Sequence, residues 1–358
     1  MCDPNAIGRQ TPLVFILFAV RAPVSMRGDI REIDVTTQDR MLRKRLALVV
    51  QSLVSTALLV LLFRKLDVGA LRRLYTTLPV WFYFVSLAVV LGGQALYAWR
   101  WRQVLAASGV TVTLGTALRQ YFIGIFLNNF FPSTVGGDMA KIYYLGRDHG
   151  YRPIAASIVL DRLLSIGLLS VLATTMYWIA PDPSPQFAMT RAFVTGIAAC
   201  LIAGLVLAAC GTGGLPRRLA PLGSLAVGFA ERAQRFRHDM ATAARHPTIV
   251  FQSAAVVATY FFTLTAVYRA FLLLNTPADP PFLTLLTAVT TASLLSNIPI
   301  SVNGLGLREQ LHAILLQPLG VPREAAVAIS LLLFAHLLVS SLLGFWFWFR
   351  PDRRRSSR

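Results

Sequence analysis

The chain has 358 residues, of which 55% are hydrophobic and 14% charged, with a mean hydropathy of +0.60; soluble domains are roughly 45–50% apolar and about 25% charged. Its apolar residues gather into runs of about 18–26, and a hydrocarbon core takes about 20 per helical crossing, which excludes a soluble globular enzyme. Thirty-four Lys and Arg against sixteen Asp and Glu give a net charge of +18, read at this hydropathy as basic loops facing anionic lipid rather than as a nucleic-acid surface.

Residues 1–40 contain a short apolar stretch around Leu13–Ala19, too brief to span a bilayer and without the basic lead-in or cleavage site of a signal peptide. Met41 opens Met-Leu-Arg-Lys-Arg just before a spanning run. Residues 1–40 are therefore expected to be a disordered extension or a mis-called start. Residues 41–350 are expected to form one transmembrane domain, and 351–358 a basic cytoplasmic tail.

Six crossings follow from length and flanks: Leu46–Phe63, Pro79–Ala98, Ile154–Trp178, Phe193–Cys210, Ile249–Leu274 and Ala325–Phe349. Trp81, Tyr83, Tyr97, Trp99 and Trp101 read as interfacial belts, as does the cluster Phe345–Phe349. Between the first two crossings, Leu66–Leu78 alternates Leu with basic residues at helical spacing and predicts an interfacial amphipathic helix. Cys2, Cys200 and Cys210 have no metal-ligand spacing and imply no disulfide framework.

Two further apolar segments, near 116–147 and 282–321, run into breaks instead of flanks. The first reads Asn128-Asn129-Phe-Phe-Pro132-Ser133-Thr134-Val-Gly136-Gly137-Asp138; the second reads Ser296-Asn297-Ile-Pro299-Ile-Ser301-Val-Asn303-Gly304-Leu-Gly306-Leu-Arg308-Glu309. Both run Asn, Pro, Ser, Gly and then charge, a weak internal repeat. The Arg-rich segment 211–247 and the tail are expected on the cytoplasmic side, and the connectors 181–190 and 275–281 outside. That assignment makes both broken segments re-entrant helical hairpins entering from opposite sides. The order crossing, crossing, hairpin, crossing then occurs twice, the inverted-repeat plan of many transporters. The expected class is an all-α polytopic membrane protein with about six transmembrane helices plus two re-entrant hairpins. Arg64, Lys65, Arg72 and Arg73 oppose the charge rule, because this topology places them outside.

Asn129 to Lys141, then Ala156-Ser-Ile-Val-Leu-Asp161-Arg162-Leu, then Pro299 to Glu309 together resemble the lysylphosphatidylglycerol synthase transmembrane family, over residues 42–349. The resemblance implies a polytopic bacterial inner-membrane protein that handles a lipid, with its two re-entrant elements meeting near a pseudo-symmetric centre. In the aminoacyl-lipid synthases of that family a soluble C-terminal domain performs the transfer. This sequence ends nine residues after its last crossing, so it is expected to resemble the flippase-like half alone, and no transfer reaction is assigned to it.

Charge inside a span costs about 2.5–3.5 kcal/mol on insertion scales, so it faces protein or a wet cavity. Asp161 and Arg162 lie roughly 12–13 Å past Pro153 at about 1.5 Å per residue. Adjacent helical residues point about 100° apart, so each needs its own partner elsewhere. They form either a structural ion network or, for Arg162, a direct contact with substrate. Asp138, Lys141, Arg308 and Glu309 follow the glycine breaks, where exposed N–H groups and the helix dipole suit phosphate or carboxylate. Asp138 is equally a helix cap, and Arg308 equally a local ion pair. Asn129, Ser133, Ser301 and Asn303 complete the candidate substrate contacts or satisfy freed backbone groups; Pro132, Gly136, Gly137, Pro299, Gly304 and Gly306 are the structural breaks. His312 and His336 read as hydrogen-bonded packing residues, and Arg119 and Arg269 as snorkelling side chains. No metal cluster, P-loop or catalytic triad stands out, so neither cofactor nor metal is expected. The favoured function is a lipid flippase or transporter for an anionic or modified lipid. The competing readings are a membrane enzyme for headgroup or glycosyl transfer to a lipid, and an accessory subunit of a soluble transferase or pathway partner in an aminoacyl-lipid, hopanoid or glycolipid pathway.

Overall fold

A computed structural model of the chain describes residues 53–62, 64, 66–130, 136–180, 185–210, 247–298, 300–301 and 304–349. Expectations for 1–40, Met41, the basic segment 211–246 and the tail 351–358 lie outside these residues. The described residues all belong to the unit Val50–Arg358, and their regular structure is entirely helical. We number the helices α1 (Leu53–Leu62), α2 (Val68–Thr76), α3 (Val80–Ala107), α4 (Leu114–Phe130), α5 (Gly136–His149), α6 (Tyr151–Ile179), α7 (Pro185–Cys210), α8 (Pro247–Asn275), α9 (Phe282–Ser296), α10 (Leu307–Leu316) and α11 (Arg323–Phe349).

Helices α3, α6, α8 and α11 have 28, 29, 29 and 27 residues. At about 1.5 Å per residue each exceeds a hydrocarbon core of roughly 30 Å. These four are long and apolar enough to cross a membrane. The protein is an all-α polytopic membrane protein. The other two predicted crossings correspond to α1, described only over Leu53–Leu62, and to α7, which has 26 residues. The predicted amphipathic segment forms α2, where Asp67 Oδ1 accepts from the Gly69 amide at 2.7 Å as an N-cap, as expected of an aspartate that relieves an orphan first-turn donor.

The two broken segments form helix pairs, α4 with α5 and α9 with α10. Their members have 17, 14, 15 and 10 residues, so each falls short of a full crossing at about 1.5 Å per residue. Packing shows where each pair starts and ends. The end of α3 (Trp101, Leu105), the end of α5 (Leu145) and the start of α6 (Ile154, Ile158) share one cluster with Val110. Arg119, early in α4, donates to the Phe347 carbonyl at the end of α11 at 3.2 Å. The first pair thus leaves and returns to the end where α3 and α11 finish. At the opposite end, Thr77 before α3 donates to Asn275 at the close of α8 at 2.7 Å, and Tyr75 donates to the Ala328 carbonyl near the start of α11 at 2.8 Å. Only Thr276 to Pro281 separate Asn275 from α9, so the second pair starts at that end; Leu316, closing α10, joins Val321 and Ala325 there.

The helix contacts are the same when the sets α3, α4, α5, α6 and α8, α9, α10, α11 are exchanged. Helix α3 packs on α8, α4 on α11 as α9 on α6, α5 on α6 as α10 on α11, and α3 on α11 as α8 on α6. The weak sequence repeat is therefore an internal pseudo-symmetry of packing. Its tightest contacts are made by glycine: a Cβ on Gly137 would lie 2.0 Å from the Gly124 carbonyl oxygen, and one on Gly344 2.1 Å from that of Phe122. Small residues of this kind let membrane helices touch backbone to backbone.

Candidate functional site

At the first pair, five charged side chains gather below the break. Arg162 of α6 donates through Nε to Asp138 Oδ2 at 2.7 Å. Lys141, one turn after Asp138 on α5, lies 3.7 Å from the other carboxylate oxygen. The Lys141 ammonium also sits 5.0 Å from the Trp101 ring centroid and 4.6 Å from that of Tyr121, two cation–π contacts that replace lost hydration. Asp161 turns the other way. It accepts from Arg100 Nε at 3.0 Å and Nη2 at 2.8 Å, a two-pronged charge-assisted contact of the stronger kind. Arg100 Nη2 also reaches Ser165 Oγ, and its guanidinium lies 4.9 Å over Tyr97.

Among these described side chains three cations, Arg100, Lys141 and Arg162, thus meet two carboxylates, Asp138 and Asp161. Burial is uneven. The Arg100, Asp161, Asp138 and Lys141 side chains are 1–14% exposed, whereas Arg162 is 51% exposed. The backbone fits the cluster closely: Asn128 Oδ1 accepts from the Gly137 amide at 2.8 Å, and a Cβ on Gly124 would lie 2.6 Å from Lys141 Cε.

The second pair is organised differently. Glu309, fully buried, accepts through Oε2 from the Gly306 amide at 2.8 Å and through Oε1 from Arg308 Nη2 at 2.6 Å. The contact with the Gly306 amide places a carboxylate in the first turn of α10, where the helix dipole favours it. Arg308 lies 4.7 Å over the Phe334 ring. His312 bridges the Arg308 carbonyl, 2.8 Å from Nδ1, and the Tyr268 hydroxyl, 2.7 Å from Nε2. Gly306 has φ +80°, and a Cβ there would meet that of Leu58 at 2.7 Å, so α1 backs directly onto this turn.

Of the residues singled out from sequence, Asp138, Lys141 and Arg162 come together, while Asp161 belongs to a separate pair beside them. Asp138 spends its carboxylate on Arg162 and Lys141. Arg308 and Glu309 pair with each other. Gly136 and Gly137 open α5, Asn129 lies in the last turn of α4, and Gly304 shares the positive φ of Gly306, at +76°. Ser301 is buried, with a hydroxyl that meets no partner among the described residues. Pro132, Ser133, Pro299 and Asn303 lie outside the described residues. Arg269 pairs with Asp279 at 2.9 Å. Sequence reasoning missed Arg100, because an arginine between Trp99 and Trp101 reads as part of a headgroup belt. Helix α3 in fact continues to Ala107, and the demand of Asp161 for a distant cation was the available signal. Tyr268 was missed for want of any polar pattern on α8.

No solved structure matches the chain. A UPF0104 membrane protein of Pyrococcus horikoshii is 28% identical over 89 residues, covering 23% of this chain and 27% of that protein. A UPF0104 membrane protein of Methanothermobacter thermautotrophicus is 27% identical over 308 residues, covering 76% of this chain and 84% of that protein. The family described as the lysylphosphatidylglycerol synthase TM region matches residues 48–344. With the all-helical paired architecture and the charged motifs at both breaks, that span makes the chain a member of the lysylphosphatidylglycerol synthase transmembrane family.

Proposed function

We propose that the protein carries an anionic lipid headgroup across or into the membrane, with Arg162 as the group that receives it. The observation behind this reading is the uneven cluster at the first helix pair. One carboxylate, Asp138, serves two cations, and of these Arg162 is half-exposed while Lys141 is buried. A headgroup phosphate can take Arg162 from Asp138, because Lys141 keeps Asp138 neutralised. Exchange of one oxyanion for another keeps the planar guanidinium paired, and a phosphate can engage it through two parallel hydrogen bonds, so no bare charge is left in low dielectric. The pairs α4/α5 and α9/α10 act in this reading as re-entrant hairpins from opposite leaflets. Three crossings per half, an odd number, give the halves opposite orientation, and the C-terminal end lies in the cytoplasm of a bacterial cell.

The test is the leaflet distribution of a short-chain fluorescent anionic lipid in proteoliposomes, with ion gradients supplied. Wild-type protein should move lipid above protein-free vesicles, Arg162→Ala should abolish the movement, and Arg218→Ala should not. Wild-type vesicles indistinguishable from empty ones overturn the transporter reading. Normal movement by Arg162→Ala overturns the site alone.

A further inference from the structure

The basic residues that oppose the charge rule lead to a second site, independent of the function proposed above. Helix α2 lies across the bundle end where α3 and α11 begin and α8 finishes. Three contacts hold it there: Tyr75 to the Ala328 carbonyl, Tyr83 to the Tyr75 carbonyl at 2.7 Å and Thr77 to Asn275. Beneath it is a cavity of about 370 Å³, within the range of small-molecule sites, roughly 300–1,000 Å³. Its apolar wall includes Leu74, Leu274 and Pro277; its polar wall is Arg73, Thr77, Asn275, Thr276 and Glu324.

Two features narrow the occupant. First, the neighbourhood is lipid-facing: Val80, Trp81, Phe84 and Leu273 are 71, 54, 68 and 56% exposed, and four large apolar side chains this open around a helix end belong at an acyl boundary. Second, the cavity carries both signs of charge. Arg73, whose side chain is 73% exposed, pairs among the described residues with the exposed Asp67 at 3.5 Å, a weak contact that a phosphate can replace. Glu324, in the first turn of α11, adds one negative charge on the same wall. A soluble anion or an anionic headgroup would meet that carboxylate as a repulsion. A headgroup with phosphate and ammonium satisfies both.

We infer that the cavity under α2 binds a zwitterionic aminophospholipid, its phosphate on Arg73, its ammonium on Glu324 and its acyl chains along Leu274 and the α3 face. This gives Arg73, one of the basic residues on the side that the charge rule disfavours, a role in reading lipid.

The experiment places a photocrosslinking phenylalanine analogue at Leu274 in the full chain, with a control at Leu342, an exposed position toward the far end of α11, in nanodiscs of equal phosphatidylethanolamine and phosphatidylglycerol. Adducts are identified by mass spectrometry. The Leu274 position should enrich phosphatidylethanolamine about two- to fivefold over the Leu342 position, the range open to one exposed charge contact. Arg73→Gln should lower the total yield of lipid adducts at Leu274, because it removes the phosphate partner of both lipids, and Glu324→Gln should shift the ratio toward phosphatidylglycerol, with yield and ratio at Leu342 unchanged throughout as evidence of proper insertion. Equal ratios at both positions, enrichment of phosphatidylglycerol by the wild type, or indifference to Arg73→Gln overturns the proposal. Suppression of the adducts by excess inorganic phosphate does so too, because the site would then serve a soluble anion.

Discussion

The two broken helix pairs occupy equivalent places in the pseudo-symmetric packing, yet they treat charge in opposite ways. At the second pair Arg308 and Glu309 cancel within one turn, the carboxylate is fully buried, and a backbone amide takes its other oxygen. At the first pair the charges span α3, α5 and α6, and the Arg162 side chain is half-exposed. Equivalent architecture therefore does not imply equivalent work. A neutral, locally closed pair holds a turn in shape, whereas a distributed cluster ties helices together and, in the function proposed above, also receives an anion.

The largest effect should come from breaking the distributed cluster at its buried member. Asp161→Ala strands Arg100, whose side chain is 1% exposed, and should cost about 3–5 kcal/mol, the usual penalty for orphaning a buried charge. Thermal unfolding in detergent measures it. The double variant Arg100→Leu with Asp161→Leu should recover most of the loss, since removing both charges removes the penalty. Next is the glycine seam beneath the same cluster. Gly137→Ala places a methyl where the Gly124 carbonyl lies and should destabilise by about 1–3 kcal/mol through overpacking. Gly92→Ala, with open space around it, should leave the melting temperature unchanged.

At the second pair, Tyr268→Phe removes the hydrogen bond to His312 and should cost about 1 kcal/mol, with no effect on lipid movement if that pair is purely structural. The Gly92→Ala control aside, the smallest stability change belongs to Arg162→Ala. Its half-exposed ion pair, discounted for solvent screening, contributes within about 1 kcal/mol, while its effect on lipid movement should be the greatest of the series. A melting temperature that falls as far for Arg162→Ala as for Asp161→Ala would erase the contrast between structural and receptive charge.

Much of the architecture was legible in the chain because a bilayer is a uniform solvent. Helix length and hydropathy alone marked α3, α6, α8 and α11, and the Pro, Gly and Asn runs marked the breaks between α4 and α5 and between α9 and α10, since chain chemistry decides locally where a helix can continue. The sequence also led to an expectation of different partners for Asp161 and Arg162, since adjacent helical side chains point about 100° apart, although Arg308 and Glu309, equally adjacent, pair with each other. It did not say which partners. Arg100 lies 61 positions from Asp161, and Asp138 lies 24 from Arg162. Such pairings depend on how α3, α5 and α6 rotate and slide against one another, which glycine contacts and side-chain volumes decide together. For the same reason the tertiary structure alone distinguished the closed pair from the open cluster: Arg308-Glu309 and Asp161-Arg162 are both adjacent opposite charges in sequence, and only burial and the neighbouring helices determine whether such charges meet each other or reach across the fold.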